Sequence, residues 1–162
     1  MVSVLRIESP AQYWQEVVLP NALHYRQHPT AREAFNLAAS LWHLIDWIFE
    51  DPRLNPQRQQ KSDLQATLRQ QCPALGVMHD ITTPYKHARM TKPQGNVTAT
   101  DVEMLDATFY FGPGGPVSEH PAEYVVTLEG GEQRPLNELF DEALKFWDSY
   151  FRADAAGQQV TL

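Results

Sequence analysis

Two pairs of histidine and aspartate stand at helical spacing in this chain of 162 residues. His43 and Asp46 are at positions i and i+3, and Asp80 and His87 are at i and i+7, so each pair falls on one face of a helix. Two imidazoles and two carboxylates on facing helices could bind a divalent metal ion, the one cofactor that these residues suggest.

The segment that follows Asp80 offers acid–base chemistry as an alternative. A histidine takes up and releases protons near neutral pH, so His87 oriented by Asp80 could act on a phosphodiester. Lys86, Arg89 and Lys92 give this segment three cations with no acid between them. We assign His87, Asp80 and Lys86 as catalytic candidates, and Arg89 and Lys92 as substrate-binding candidates.

A structural interpretation stands beside each chemical one. Asn36 and Ser40 share a helical stripe with His43 and Asp46, which is typical of the solvent-facing strip of an otherwise buried helix. Asp80 could instead pair with a lysine or cap a neighbouring helix.

The remaining histidines and the cysteine give weaker signals. His79 is expected to point to a different side of its helix from Asp80, because adjacent residues on a helix do not face each other. His24 and His28 have the spacing of two ligands on one helix but no nearby acid in sequence. Cys72, at the start of a helix, is expected to cap that helix rather than act as a nucleophile.

No high-specificity catalytic motif occurs in the sequence. It contains no phosphate-binding loop, dinucleotide fingerprint, CxxC, HExxH or GxSxG pattern. A functional interpretation of the sequence therefore depends on isolated polar residues in helical segments.

Composition favours a cytoplasmic protein that does not bind membranes. The chain has one cysteine and no secretory signal, and its most apolar stretch, Ala34–Phe49, is interrupted by polar residues and too short to cross a bilayer. The net charge of -7 disfavours non-specific nucleic-acid binding, although a local basic site is compatible with it. The stretch Glu119–Asp148 is the most acidic part and could bind a protein partner.

The hydrophobic pattern predicts a mainly α fold with one domain over residues 1–162. Capping boxes at Ser9 and Thr30 begin helices, and the strongest helix runs over about Ala31–Glu50. Pro20 is expected to kink or break the first helix, which is expected to continue through Asn21–His28 and to end at Pro29. A surface helix is expected over Asn55–Gln71, and another from Pro73 to about Thr83.

A change to alternating periodicity predicts a small antiparallel β insertion at about 97–135. Its strands are expected at Leu105–Phe111, at Tyr124–Leu128 and just before Pro135, with a turn at Gly130 and Gly131. A last helix follows at about Leu136–Arg152. The prediction is a bundle of about five helices with this insertion before the C-terminal helix.

The stretch from Asp80 to His87, with a polar residue followed by a basic residue and a histidine near a helix end, resembles the HEPN superfamily of helical domains. Many members are ribonucleases of toxin and defence systems or their inactive relatives. The resemblance implies RNA as a ligand, His87 as the family histidine, and a homodimer that brings two motifs to one cleft. Where the family has an arginine before its histidine, this chain has Ile81–Pro84.

Three functions from different classes therefore follow from the sequence. The first is a HEPN-like protein that binds or cleaves RNA. The second is a helical bundle that binds a metal through His43, Asp46, Asp80 and His87. The third is a non-catalytic domain that binds a protein partner.

Overall fold

The computed structural model of the chain describes residues 6–86, 124–128 and 131–156. Its elements, in chain order, are α1 (Pro10–Tyr13), a π-helical turn (Trp14–Val18), α2 (Leu19–Gln27), α3 (Ala31–Glu50), α4 (Lys61–Gln71), α5 (Pro73–Lys86), β1 (Val125–Thr127), β2 (Gln133–Pro135) and α6 (Leu136–Ala155). The predicted fold class is confirmed: a mainly helical bundle carries a two-stranded antiparallel sheet before its last helix.

The first helical region does not end at Pro20. The side chain of Ser9 caps α1 by accepting a hydrogen bond from the backbone N–H of Gln12. The chain then passes through the π-helical turn, where the N–H of Leu19 donates to the carbonyl of Trp14. Proline lacks an N–H and its ring collides with the carbonyl four residues back. The wider turn lies immediately before Pro20 and lets the helical path continue into α2.

Helix α3 occupies the centre of the bundle and packs against α2, α4, α5 and α6. Thr30 caps it, as predicted, by accepting a hydrogen bond from the N–H of Glu33. Its side chains are buried around most of its circumference, and the indole N–H of Trp147 in α6 donates to the carbonyl of Leu41 at 3.2 Å. None of the helices in the described ranges has the length and apolar character of a membrane span.

Two helix boundaries differ from the predictions. Helix α4 begins at Lys61 because Asn55 holds the preceding segment in a turn: its amide donates to the carbonyl of Phe49 and its oxygen accepts from the N–H of Gln59. Helix α5 extends to Lys86, beyond the predicted end at Thr83, so Pro84 is accommodated within its last turn.

The sheet matches the predicted hairpin. Val126 pairs with Arg134, and Gly131 has a φ of 86°, the left-handed conformation that glycine adopts most readily. The N–H of Leu136 donates to the carbonyl of Tyr124 at 2.7 Å, which joins the start of α6 to the hairpin. The predicted strand Leu105–Phe111, and most of the insertion expected at 97–135, lie outside the described residues.

A buried tyrosine, Tyr25, connects α2 to α6, and its ionisation should lower the stability of the protein at alkaline pH. The Tyr25 hydroxyl donates to Asn137 at 2.8 Å, and its ring lies edge-on to Phe140. Burial, with a smaller effect from Tyr124, raises the pKa of Tyr25 from 10.0 to about 12. The unfolded chain therefore loses this proton near pH 10 while the folded protein keeps it, so the stabilising contribution is complete below pH 10 and declines as pH rises towards 12.

We expect Tyr25→Phe to weaken this decline. The free energy of unfolding, measured by urea denaturation between pH 8 and pH 11.5, should fall less steeply in the variant, by up to about 1.4 kcal/mol per pH unit. Some decline should remain because burial also raises the pKa of Tyr150. Below pH 9 the variant should be destabilised by about 1 kcal/mol through loss of the hydrogen bond to Asn137. Parallel pH curves for the two proteins would contradict the assignment.

Candidate functional site

A groove of about 510 Å³ lies between α3, α4 and α5. Each helix contributes side chains at i, i+3 or i+4 spacing, so that one face of each helix meets the groove. We call it the central groove, and its lining residues are Phe35, Ala39, Trp42, His43 and Asp46 from α3, Lys61 and Gln65 from α4, and His79, Thr82 and Thr83 from α5.

One wall of the central groove carries a histidine, a carboxylate and an ammonium group. Asp46 Oδ2 is 3.2 Å from His43 Nδ1, and Asp46 Oδ1 is 2.7 Å from Lys61 Nζ. Desolvation by burial would raise the pKa of Asp46, but the hydrogen bonds and positive charges of His43 and Lys61 outweigh it and hold that pKa below its ordinary value. Asp46 is therefore ionised at neutral pH and tied to both neighbours.

Helix α5 carries a second histidine and carboxylate, of which the histidine lines the groove. His79 Nδ1 is 2.9 Å from Asp80 Oδ1, and the Asp80 side chain is only 8% exposed. The hydroxyl of Thr83 donates to the carbonyl of His79 at 2.8 Å, and its oxygen lies 3.3 Å from His79 Nε2. The expectation that His79 points away from Asp80 was wrong, because the imidazole forms a hydrogen bond with the carboxyl group of the next residue.

An aromatic ring fixes the position of this second histidine. The ring of Trp42 lies edge-on to His79 with centroids 4.7 Å apart, and Trp42 is 7% exposed. The guanidinium of Arg69 lies 4.9 Å from the centroid of the same indole, in a cation–π contact. His79 is therefore held by an aromatic neighbour, a buried carboxyl group and a threonine, which restricts its rotation.

The structure brings together some of the predicted site residues. His43 and Asp46 line the central groove, and Asp80, which does not line it, pairs with the groove residue His79. Lys86 is the last residue of α5, but its side chain, together with His87, Arg89 and Lys92, lies outside the described residues. The catalytic role of His87 and Lys86, and the substrate-binding role of Arg89 and Lys92, therefore stay predictions.

A metal site is not found in the described part of the chain. Within residues 6–86, 124–128 and 131–156, no three His, Cys, Asp or Glu side chains are grouped so that they could hold a metal ion. Asp46 is already paired with Lys61, whose positive charge disfavours a cation at the same carboxylate. A site that includes His43, Asp46, Asp80 and His87 stays a prediction, since His87 is not described.

His79 and Lys61 are groove residues that the sequence interpretation did not select as site residues. Thr82 and Thr83 stand at i+3 and i+4 from His79, and both hydroxyls donate to its carbonyl. This spacing was a usable signal, because it places two polar side chains on the same helical face as the histidine.

The other candidates lie away from the groove. His24 does have an acid nearby, contrary to the sequence interpretation: its Nε2 is 3.7 Å from Glu33 Oε1, which also pairs with Arg32. The hydrogen bond from Arg32 lowers the pKa of Glu33 despite its burial. Burial raises the pKa of the Cys72 thiol, which fits a structural cysteine and not a nucleophile.

The central groove thus combines two acid-paired imidazoles, one ammonium group and two hydroxyls beside an indole. Such a set can accept a proton at one point and donate one at another, with a cation available to an anionic ligand. Comparisons with protein-family models, with curated proteins and with solved structures found no match to this chain. The arrangement of side chains in the groove therefore carries the functional argument.

Proposed function

We propose that the central groove binds a single-stranded segment of RNA and cleaves its backbone by acid–base catalysis. One observation carries this proposal: two histidines that line the same groove, His43 from α3 and His79 from α5, each form a hydrogen bond through Nδ1 to a carboxyl group. In such a pair the acid fixes the orientation of the ring, so that Nε2 is the nitrogen that exchanges protons with a ligand. At His79 a ligand oxygen would have to replace the hydroxyl of Thr83, which lies 3.3 Å from Nε2.

His43 is suited to the role of general base. An ionised carboxylate can only accept hydrogen bonds, so the bond to Asp46 requires that Nδ1 of His43 carries the proton. Nε2 then presents a lone pair, and within the described residues no hydrogen bond occupies it. In RNA this nitrogen would take the proton of a ribose 2′-hydroxyl, whose oxygen attacks the adjacent phosphorus.

His79 is suited to the role of general acid. Asp80, as a carboxylate, accepts from Nδ1–H, and the Thr83 oxygen can accept from Nε2–H because its own proton is donated to the His79 carbonyl. Two acceptors suit the doubly protonated ring. The proton would pass to the leaving 5′-oxygen as its bond to phosphorus breaks, giving a cyclic phosphate and a free 5′-hydroxyl.

Lys61 supports this assignment by its position. It stands on the α4 side of the groove with its ammonium nitrogen 2.7 Å from Asp46, and its side chain is exposed. An ammonium beside a reacting phosphate stabilises the negative charge that develops on the non-bridging oxygens. In sequence, the basic stretch with Lys86, Arg89 and Lys92 begins at the last residue of α5, and we propose that it binds flanking phosphates.

The HEPN resemblance is compatible with this proposal, but it implies a different catalytic histidine, His87. If His87 carries the reaction, as the resemblance implies, His79 has a structural role and its loss should leave cleavage intact. A homodimer and a cytoplasmic location belong to the same proposal.

The alternative function, binding of a protein partner through the acidic surface of α6, has less support than RNA cleavage. Acids on this surface already pair with cations: Asp141 with Arg26, Glu142 with Arg134 and Asp148 with Arg152.

Substituting each histidine separately tests the proposal. We expect His43→Ala and His79→Ala each to lower the rate of cleavage of a single-stranded RNA by roughly 10²- to 10⁴-fold, the usual contribution of a general acid or base. Cleavage should persist in the presence of a chelator, because the proposed chemistry uses no metal. The measurement is the initial rate with purified, untagged protein and end-labelled RNA, with circular dichroism to confirm that each variant folds.

His28→Ala is the matched control, because His28 is an exposed histidine at the C-cap of α2 and does not line the groove. The cleavage rate of this variant should equal that of the wild type. His87→Ala separates the two assignments. Loss of activity in this variant, with full activity in His79→Ala, would transfer the reaction to His87. Absence of cleavage by the wild-type protein would refute the catalytic proposal.

Asp80 should act as a positioning residue for His79. We expect Asp80→Asn to reduce the cleavage rate roughly 10-fold or more while RNA affinity stays the same, because an amide can hold the ring but does not stabilise its protonated form. The loss should therefore appear in kcat and not in KM. Reduced thermal stability with an unchanged kcat would assign Asp80 a purely structural role.

A further inference from the structure

Two aromatic side chains stack beside the central groove. The rings of Tyr13, at the end of α1, and Trp47, on α3, have centroids 5.3 Å apart and an interplanar angle of 27°. Both residues are only partly buried: Tyr13 packs against the core on one side, and part of each ring remains accessible to solvent.

The stack adjoins the groove through Asp46. Trp47 follows Asp46 directly in α3, and Asp46 lines the groove between His43 and Lys61. Trp47 also stands four residues after His43, so the two side chains lie one helical turn apart on the same face of α3. Burial raises the pKa of Tyr13, and the charge of Asp46 adds to that effect.

Trp47 is unusual among the tryptophans of this chain. Trp14, Trp42 and Trp147 are all less than 8% exposed and contribute to the core, whereas Trp47 remains partly exposed. Tyr13 directly precedes the π-helical turn, a feature that is frequent at functional sites. The turn changes the register of the helix at this point. Tyr13 stacks against Trp47, while the next residue, Trp14, is buried in the core.

We propose that Tyr13 and Trp47 form a stacking subsite for an unpaired nucleobase next to the phosphodiester bound in the central groove. This inference rests on the proposed function, and it explains how the protein would select its ligand. Every base has a π-face that stacks on an aromatic side chain, so the subsite accepts different sequences but requires a base that is free of a duplex. The site thereby selects single strands.

Binding to an oligonucleotide that cannot be cleaved tests the subsite separately from catalysis. A short 2′-O-methyl oligouridine, which has no free 2′-hydroxyl, is compared with an abasic oligomer of equal length and charge by fluorescence anisotropy of an end label. We expect the wild-type protein to bind the base-containing oligomer roughly 5- to 150-fold more tightly, the range found for stacking of one base. The oligouridine should also quench the fluorescence of Trp47, the least buried of the four tryptophans.

Substitutions of Tyr13 and Trp47 test whether these two rings cause the preference for the base-containing oligomer. Tyr13→Ala and Trp47→Ala should abolish most of the preference for the base-containing oligomer and leave the affinity for the abasic oligomer unchanged. Trp47→Phe, which keeps an aromatic face, should retain most of the preference. Leu23→Ala is the matched control, because Leu23 is an exposed large apolar side chain on α2 and its removal should change neither affinity.

Equal affinity of the wild-type protein for the two oligomers would overturn the subsite, and this comparison requires no variant to fold. The same holds if Tyr13→Ala and Trp47→Ala both keep the preference. If the base preference is present but wild-type protein cleaves no RNA, the subsite stands and the catalytic proposal fails. If RNA is cleaved in a His43-dependent way without any base preference, the subsite alone fails.

Discussion

Burial of α3 on most of its circumference is the constraint on which the rest of the structure depends. Leu37, Leu41 and Ile45 are at most 1% exposed, and each fully buried side chain of this kind contributes about 1.5–3 kcal/mol to stability. A helix so enclosed has little surface left for polar residues. His43 and Asp46 fall on the one strip that α4 and α5 leave open, so the packing that stabilises the bundle also determines where the groove can form.

Carboxyl groups that are buried require partners, and this requirement organises the polar contacts of the bundle. Asp80 pairs with His79, and Glu33 pairs with Arg32 and His24, because a buried charge without a partner would be costly. An acid–imidazole pair is therefore not in itself a site. The pairs at the central groove differ from the one at Glu33 because open volume lies beside them, where a ligand can reach the imidazoles.

An irregular turn in the N-terminal helical region determines where Tyr13 and Trp14 lie. Pro20 removes a backbone donor, and the π-helical turn before it absorbs the resulting mismatch without ending the helix. Trp14 then packs on Phe151 in the core while its neighbour Tyr13 stacks on Trp47 at the surface. One local adjustment of the backbone thus serves both the core and the edge of the groove.

The sequence by itself determined the helices, their caps at Ser9 and Thr30 and the hairpin before α6, because these depend on local periodicity and on hydrogen bonds between near neighbours. It also identified His43, Asp46 and Asp80 as residues of interest. Only the tertiary structure decided that His79 is a partner of Asp80, and that α3, α4 and α5 bring His43, Asp46, Lys61 and His79 to one groove. The physical reason is that side-chain direction within a helix, and proximity between helices, follow from packing of the whole bundle and not from spacing along one segment.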